Sequence, residues 1–353
     1  MDKHIVIMAG GTGGHVFPAL AVAQFLAAKE WKVSWIGTKR GMESRVVPDN
    51  GIEIDWLAVE GLRGKGLGAK INNVSLLFKS FLQAYKILRK RKPAVVLGMG
   101  GYVAGPGGIM ASLMRIPLVI HEQNRVPGTT NRLLMNKASK VLEAFPGSFS
   151  TDIGAVFTGN PLRTHFLDFP EKEIWNEELE RDFRILIVGG SQGAKILNDV
   201  VPVAIAELEG VEIKHQTGVA SLELVTKKYN DLSVKAEVKD FINDIASAYQ
   251  WADMVICRAG AMTVSEVAAA GLPAIFIPLP YAIDDHQTAN ARYLSAAGAA
   301  KLIAQNEFNE VALVMAIREI KESLKQMTES AKNKAKLDAT ALVAAICEQE
   351  GMK

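Results

Sequence analysis

Residues 4–15 read HIVIMAGGTGGH, and residues 184–195 read RILIVGGSQGAK. Each is an apolar run of strand length that breaks into glycines just before a helix-periodic stretch. A strand feeding a glycine turn and then a helix opens a Rossmann-like half, where backbone N–H groups at the helix N-terminus can meet an anion. Finding the unit twice predicts an α/β chain of two such halves, each a doubly wound parallel sheet.

The rest of the chain keeps the same rhythm. KVSWIG (32–37), the extended segment 52–59, AVVLGMGG (94–101), PLVIHEQN (117–124) and KVLEAF (140–145) read as further strands of the first half. Helices are expected over 17–29 and from about Asn73 to Lys90. VEIKHQTG (211–218), SVKAEVKDF (233–241), DMVICRAG (253–260) and PAIFIPLP (273–280) continue the second half. Short apolar runs alternating with helices point to parallel βαβ units. Between the halves, Asn160 to Asp182 breaks the rhythm with Pro161, Pro170 and an acidic run, so the domain linker is expected there. Ligands of such sheets sit beyond the carboxyl ends of the strands, and two facing sheets would leave a cleft.

At 353 residues the chain exceeds one comfortable core, which agrees with two domains. No apolar run approaches ~18 residues, so no spanning helix is expected. MDKHIVIM is too short for the apolar part of a secretory signal. Two cysteines, Cys257 inside an apolar run, suggest a reduced, cytosolic protein. A net charge of +2 argues against a dedicated nucleic-acid binder. The basic run Arg89–Lys92 reads either as a solvated helix end or as attraction to an anionic membrane surface.

The glycine turns do not fit the common cofactor patterns. A dinucleotide fingerprint from Gly11 needs glycine or alanine where Val16 stands, and no acid is placed for a ribose after KVSWIG. The turn Gly189–Ala194 is not a P-loop, since Ile196 follows Lys195. A nicotinamide or flavin cofactor is therefore disfavoured. The cluster Gly98–Gly108 reads as a flexible loop approached by a bulky or phosphorylated ligand. His121, Glu122, Gln123 and Asn124 end an apolar strand and look like cleft lining, although a satisfied turn would also accommodate them. Thr263 and Glu266 have capping-box spacing; facing a ligand instead, Glu266 could accept both ribose hydroxyls. Asp284–Asp285–His286–Gln287 resembles a metal site, but acids at a helix start need no metal. Gln287 and Asn290 share a helix face suited to sugar hydroxyls. His15, at a helix N-terminus whose dipole lowers an imidazole pKa, is a candidate general base.

Together GGTGGH, GGYVAGPGG, HEQN, GNPLR, GGSQGA, HQTG and RAGAMTVSEVAAAGLPAIFIPLP…HQTANA resemble, in order from Gly10 to Ala291, the MurG family. These are the peripheral glycosyltransferases that make lipid II in bacterial peptidoglycan synthesis. The resemblance implies a GT-B fold: an acceptor and membrane-binding domain over 1–162, a donor domain over 163–337, and a helix over about 338–353 returning to the first. It implies inverting transfer of N-acetylglucosamine from UDP-N-acetylglucosamine to the C4 hydroxyl of the muramyl sugar of lipid I, with no cofactor and no metal. On the donor side it implies contacts from Arg163 and Ser191 to phosphates, Ile242 to uracil, and Ala261, Met262, Thr263, Val264, Ser265 and Glu266 to diphosphate and ribose. Gln287 would read the sugar, and Thr12, Gly13, Gly14 and Asn124 would meet the donor from the first half. Met262 stands where the family often has leucine and keeps an apolar side chain near the base. His15, Tyr102, His121, Glu122, Asn198 and Arg258 match family positions important for activity. His15, or Glu122 in its place, would take the acceptor proton.

A polyprenyl acceptor requires contact with a bilayer, and Leu76, Leu77, Phe78 and Phe81 offer more apolar surface than one buried stripe uses. Expected partners are thus UDP-N-acetylglucosamine, lipid I, an anionic membrane surface on the cytoplasmic side, and proteins of cell-wall synthesis and division. Two rivals are a UDP-N-acetylglucosamine 2-epimerase and a non-catalytic sugar-nucleotide sensor. The first needs acids for proton abstraction, and His15 weighs against the second.

Overall fold

The computed structural model describes residues 3–59, 67–190, 193–281 and 283–353, with the backbone alone for 67–75 and 283. The described chain divides into two compact units, 1–163 with 336–353, and 164–335. The first unit runs β1 (His4–Met8), α1 (Gly13–Ala28), β2 (Lys32–Gly37), α2 (Glu43–Asp49), β3 (Glu53–Trp56), α3 (Leu67–Arg91), β4 (Val95–Gly98) and α4 (Ala104–Leu113). It continues through β5 (Leu118–Glu122), α5 (Thr129–Leu134), β6 (Lys140–Glu143) and β7 (Val156–Phe157). The second holds β8 (Phe183–Val188), α6 (Lys195–Ile205), β9 (Val211–Gln216), α7 (Leu222–Asp231), β10 (Ala236–Lys239), α8 (Ile245–Trp251), β11 (Met254–Cys257) and α9 (Ala261–Ala269). After these come β12 (Ala274–Phe276), α10 (His286–Ser295), β13 (Ala300–Leu302), α11 (Glu310–Glu322) and α12 (Leu324–Lys334), before α13 (Ala339–Gly351) of the first unit.

Every strand pairing is parallel. The orders are β3-β2-β1-β4-β5-β6-β7 in the first sheet and β10-β9-β8-β11-β12-β13 in the second. Each order reverses beside its first strand, between β1 and β4 and between β8 and β11. That reversal opens the crevice in which a doubly wound sheet takes its ligand. Strands with both faces covered must be apolar throughout, which is why HIVIM and MVIC are fully buried. One side of the first sheet is closed by α1 and by α13, whose Val343, Ala344 and Cys347 join its core. Lys29 and Trp31 both bond the Glu348 carboxylate, fixing α13 at its far end.

The boundary between the units falls at 163/164, inside the segment expected to hold the linker. Trp175 packs edge-on against Phe183 and donates to the Arg181 carbonyl, and Lys172 donates to the carbonyls of Trp251 and Ala252, so the segment is anchored on the second unit. Gly105, Gly107 and Gly108 belong to a buried helix rather than a flexible loop. A Cβ at Gly107 would fall 2.2 Å from Met8 Sδ and one at Gly108 2.7 Å from Leu134 Cδ1, so these two glycines let α4 pack closely on β1 and α5. Finally, α9 begins at Ala261 behind Gly260, which places Thr263 inside the helix and removes the capping box.

Candidate functional site

In the first unit three loops meet at the sheet reversal: 9–12 after β1, 99–103 after β4, and 123–128 after β5. Gly101, at φ +74°, packs where a Cβ would lie 2.5 Å from the Gly10 carbonyl, so the backbones of the first two loops touch directly. Thr12 is the N-cap of α1, and its carbonyl accepts from the amides of His15 and Val16. Gly13 and Gly14 form the first turn, and His15 follows half-buried, its ring against Gly100. His15 Nδ1 lies 2.7 Å from Gln123 Oε1. Gln123 Nε2 lies 3.0 Å from His121 Nδ1, and His121 Nε2 donates to the Gly159 carbonyl at 2.9 Å.

His121, expected on the acceptor side or in a supporting role, and Glu122, expected as an alternative base, are both buried. His121 is fully buried, and burial holds its imidazole down at about 4, hence neutral. Glu122, 2 % exposed, accepts from the backbone N–H and the side-chain amide of Asn124 and from Gly128 N and Asn131 Nδ2. A buried carboxylate saturated with donors cannot reach a substrate hydroxyl, which removes Glu122 as an alternative base. It shapes the turn carrying Asn124. Tyr102 is exposed and borders an open pocket with Lys39, Arg40, Trp56 and Leu76. Arg163 stacks over the Phe17 ring of α1, 5.1 Å from its centroid.

In the second unit Gly189 and Gly193 bring the turn after β8 against β9. A Cβ at Gly193 would lie 2.0 Å from the Thr217 carbonyl. Asn198, buried on α6, donates to that same carbonyl. Ser191 lies outside the described residues. Ile242 is half-buried, with its N–H on Gln216 Oε1 at 2.9 Å. The segment Ala261, Met262, Thr263, Val264, Ser265 and Glu266 is the start of α9, whose cap residue Gly260 has no side chain to fill its positive end. Arg258 ties strand ends together: it donates to the Ile277 and Pro278 carbonyls and to Gln305. Gln287 accepts from Leu279 N, and Asn290 is buried on the Ala259 carbonyl, so only Gln287 of that pair remains partly accessible. Among the described residues no three His, Cys, Asp or Glu side chains are grouped to hold a metal ion. Asp285 instead accepts from the Thr288 hydroxyl at the start of α10.

The model of the glycosyltransferase family 28 N-terminal domain matches residues 5–143, and that of its C-terminal domain matches residues 184–345. The chain belongs to glycosyltransferase family 28. A Methylococcus capsulatus relative is 54% identical over 99% of both chains; it is named UDP-N-acetylglucosamine–N-acetylmuramyl-(pentapeptide) pyrophosphoryl-undecaprenol N-acetylglucosamine transferase. A Psychromonas ingrahamii protein of the same name is 47% identical over 98% of each. The crystal structure of Acinetobacter baumannii MurG superposes with a TM-score of 0.84 at 41% identity, covering 98% of this chain and 99% of that one. The kitacinnamycin glycotransferase, at 18% identity and a TM-score of 0.71, shares the GT-B fold alone.

Reading the sequence missed two supports of this family 28 site. Glu43, buried on α2, accepts from Gly11 N and from the Thr38 backbone and hydroxyl, pinning the first glycine turn. Gln216 joins the second turn to the next loop, donating to the Gly190 carbonyl while accepting from Ile242 N. A glutamate in an otherwise ordinary short helix carries no local signal of this. Gln216 was visible only as one letter of HQTG.

The buried imidazoles give the family 28 chain an acid-sensitive stability. Burial lowers His121 to about 4 and His215 to about 3, against an ordinary value of 6.5. Below about pH 6.5 the unfolded chain gains these protons and the native chain does not. Stability is therefore full above that pH and falls as pH drops toward 4, by about 1.4 kcal/mol per imidazole per pH unit. Urea midpoints measured at pH 7.5, 6 and 5 should decline in that order. A midpoint unchanged down to pH 5 would mean that these rings are not held neutral.

Proposed function

We propose that this chain transfers N-acetylglucosamine from UDP-N-acetylglucosamine to the C4 hydroxyl of the muramyl sugar of undecaprenyl-diphosphate-linked muramyl pentapeptide, lipid I, with inversion, giving lipid II. The observation that carries this reading is His15. It stands at the N-terminus of α1 with one ring nitrogen tied to Gln123 and the other without a partner among the described residues, in a chain matching transferases of that name along its whole length.

In this reading the acceptor O–H gives its proton to His15 Nε2 as the oxygen forms its bond to the anomeric carbon. The anomeric carbon–oxygen bond to the β-phosphate breaks, and its electron pair leaves on UDP. The positive N-terminus of α9 and Arg163 offset the developing diphosphate charge, so no metal is required. The turn after β8, with Ser191, and the 261–266 segment bind diphosphate and ribose. Ile242 lies on uracil and Gln287 meets the sugar, while Thr12, Gly13, Gly14 and Asn124 are the first unit's own candidate donor contacts. Asn198 and Arg258 support it by holding β9 and the strand ends in place. On the first unit the pocket beside Tyr102 pairs Lys39 and Arg40 with apolar Trp56 and Leu76, a lining suited to a lipid-linked diphosphate. Incubation with labelled donor and a lipid I analogue in EDTA should yield disaccharide-lipid. N-acetylmannosamine as product, or binding without turnover, would overturn the reading.

Among the described residues no helix is long and apolar enough to cross a membrane. We propose surface attachment through α3. Its exposed apolar stripe is Phe78, Leu82 and Tyr85, at helical spacing, with Phe78 66 % exposed. Of the residues expected from sequence, Leu76, Leu77 and Phe81 are half-buried, because the opposite stripe of Ser80, Ala84 and Leu88 faces the protein. Lys79, Lys86, Arg89 and Lys90 are exposed around the stripe, while Arg91 is engaged by Glu53 and Asp55 of β3. Changing Phe78 and Leu82 together to Ser should lower cosedimentation with anionic vesicles by roughly tenfold or more, leaving turnover of a short-chain acceptor intact. Equal sedimentation of variant and parent would remove α3 from the interface.

A further inference from the structure

We propose that Gln123 and His121 are positioning residues that fix His15 in one tautomer, its proton on Nδ1 and its lone pair on Nε2. The inference deepens the reading of His15 as the base and rests on it.

The direction of each hydrogen bond follows from a fixed end. The Gly159 carbonyl can only accept, so His121 Nε2 carries a proton and donates across 2.9 Å. A neutral His121 then presents a bare Nδ1. The group 3.0 Å from it must be a donor, which orients the Gln123 amide with nitrogen toward His121. The second hydrogen of that nitrogen goes to the His121 carbonyl at 3.1 Å, so the amide is held twice in the same sense. Gln123 Oε1 therefore faces His15, and an amide oxygen can only accept, which places the His15 proton on Nδ1 at 2.7 Å. The opposite amide orientation would set an oxygen against His121 Nδ1 and require a doubly protonated, fully buried imidazolium. Burial opposes that charge.

The backbone holds the relay in place. Asn160 Nδ2 donates to the Gln123 carbonyl and Asn131 Nδ2 to that of His121. Gly100 leaves room for the imidazole, since a Cβ there would lie 2.8 Å from the ring and 3.4 Å from Gln123 Oε1. In water a neutral imidazole favours its proton on Nε2, the arrangement that cannot accept from a substrate hydroxyl. The relay reverses that preference before substrate arrives, which is pre-organisation of a base.

The test is the His15 tautomer, read by long-range 1H–15N NMR on the full chain above pH 7.5, with His15→Ala assigning the signal. Parent protein should show His15 protonated on Nδ1. In Gln123→Met the resonances should move toward the Nε2-protonated form. Turnover should fall roughly 10–100-fold while KM for the donor stays within about twofold. Parent His15 carrying its proton on Nε2 overturns the proposal whether or not any variant folds. So does a folded Gln123→Met with unchanged tautomer and unchanged turnover. Loss of the base reading is a separate result: His15→Ala would retain turnover while the parent spectrum still showed the Nδ1 proton.

Discussion

Replacing His15 by Ala should lower turnover by ~10²–10⁴-fold, the range ascribed to one positioned proton acceptor. Donor affinity should change little, because the side chain sits in the first unit's loop cluster with its ring tied to Gln123. The measurement pairs steady-state kinetics on a lipid I analogue with titration of UDP-N-acetylglucosamine. The split decides the role: a fall in kcat at constant donor affinity marks a group that acts in the transition state. Equal weakening of both would reduce His15 to a donor contact. Retained turnover would dismiss it as the base.

Glu122→Gln should be among the most destabilising single changes in the first unit. In the parent each carboxylate oxygen receives two donors: Asn124 N at 3.0 Å and Asn124 Nδ2 at 3.3 Å on one, Gly128 N at 2.9 Å and Asn131 Nδ2 at 2.8 Å on the other. A glutamine turns one acceptor into an NH2 pointing at N–H groups. Two bonds to a charged acceptor are lost and their buried donors left unpaired, a cost of about 2–4 kcal/mol. Urea unfolding should report that loss, and turnover should fall with it as the 123–128 turn loosens. A variant as stable as the parent yet slower by orders of magnitude would restore Glu122 to the chemistry.

These two predictions separate residues that the motif HEQN presents as equals. Sequence reading took its residues as cleft lining, with a satisfied turn as the alternative, since polar residues closing an apolar strand have no local reason to be buried. Folding sorts them. His121 and Glu122 turn inward to satisfy backbone groups, and Gln123 turns to a histidine 108 positions away. Glu43 is the same lesson in reverse. It looks like an ordinary acid in a short helix, but reaches back 32 positions to the first glycine turn. Gly107 and Gly108 misled because glycine lowers helix propensity locally, whereas a helix packed tightly on β1 and α5 requires it there.

The sequence by itself determined the strands, the two glycine turns and the division into two parallel sheets. Those depend on periodicity and backbone permissiveness, which are properties of neighbouring residues. It also carried enough ordered motifs to name the family. Only the tertiary structure decided which polar side chains support and which remain open. It also set the start of α9 and the outward stripe of α3. Gln123 and Glu43 take their partners from far along the chain, and these meet only when the loops converge at the sheet reversal. A hydrogen bond across that distance has no pattern in the order of residues.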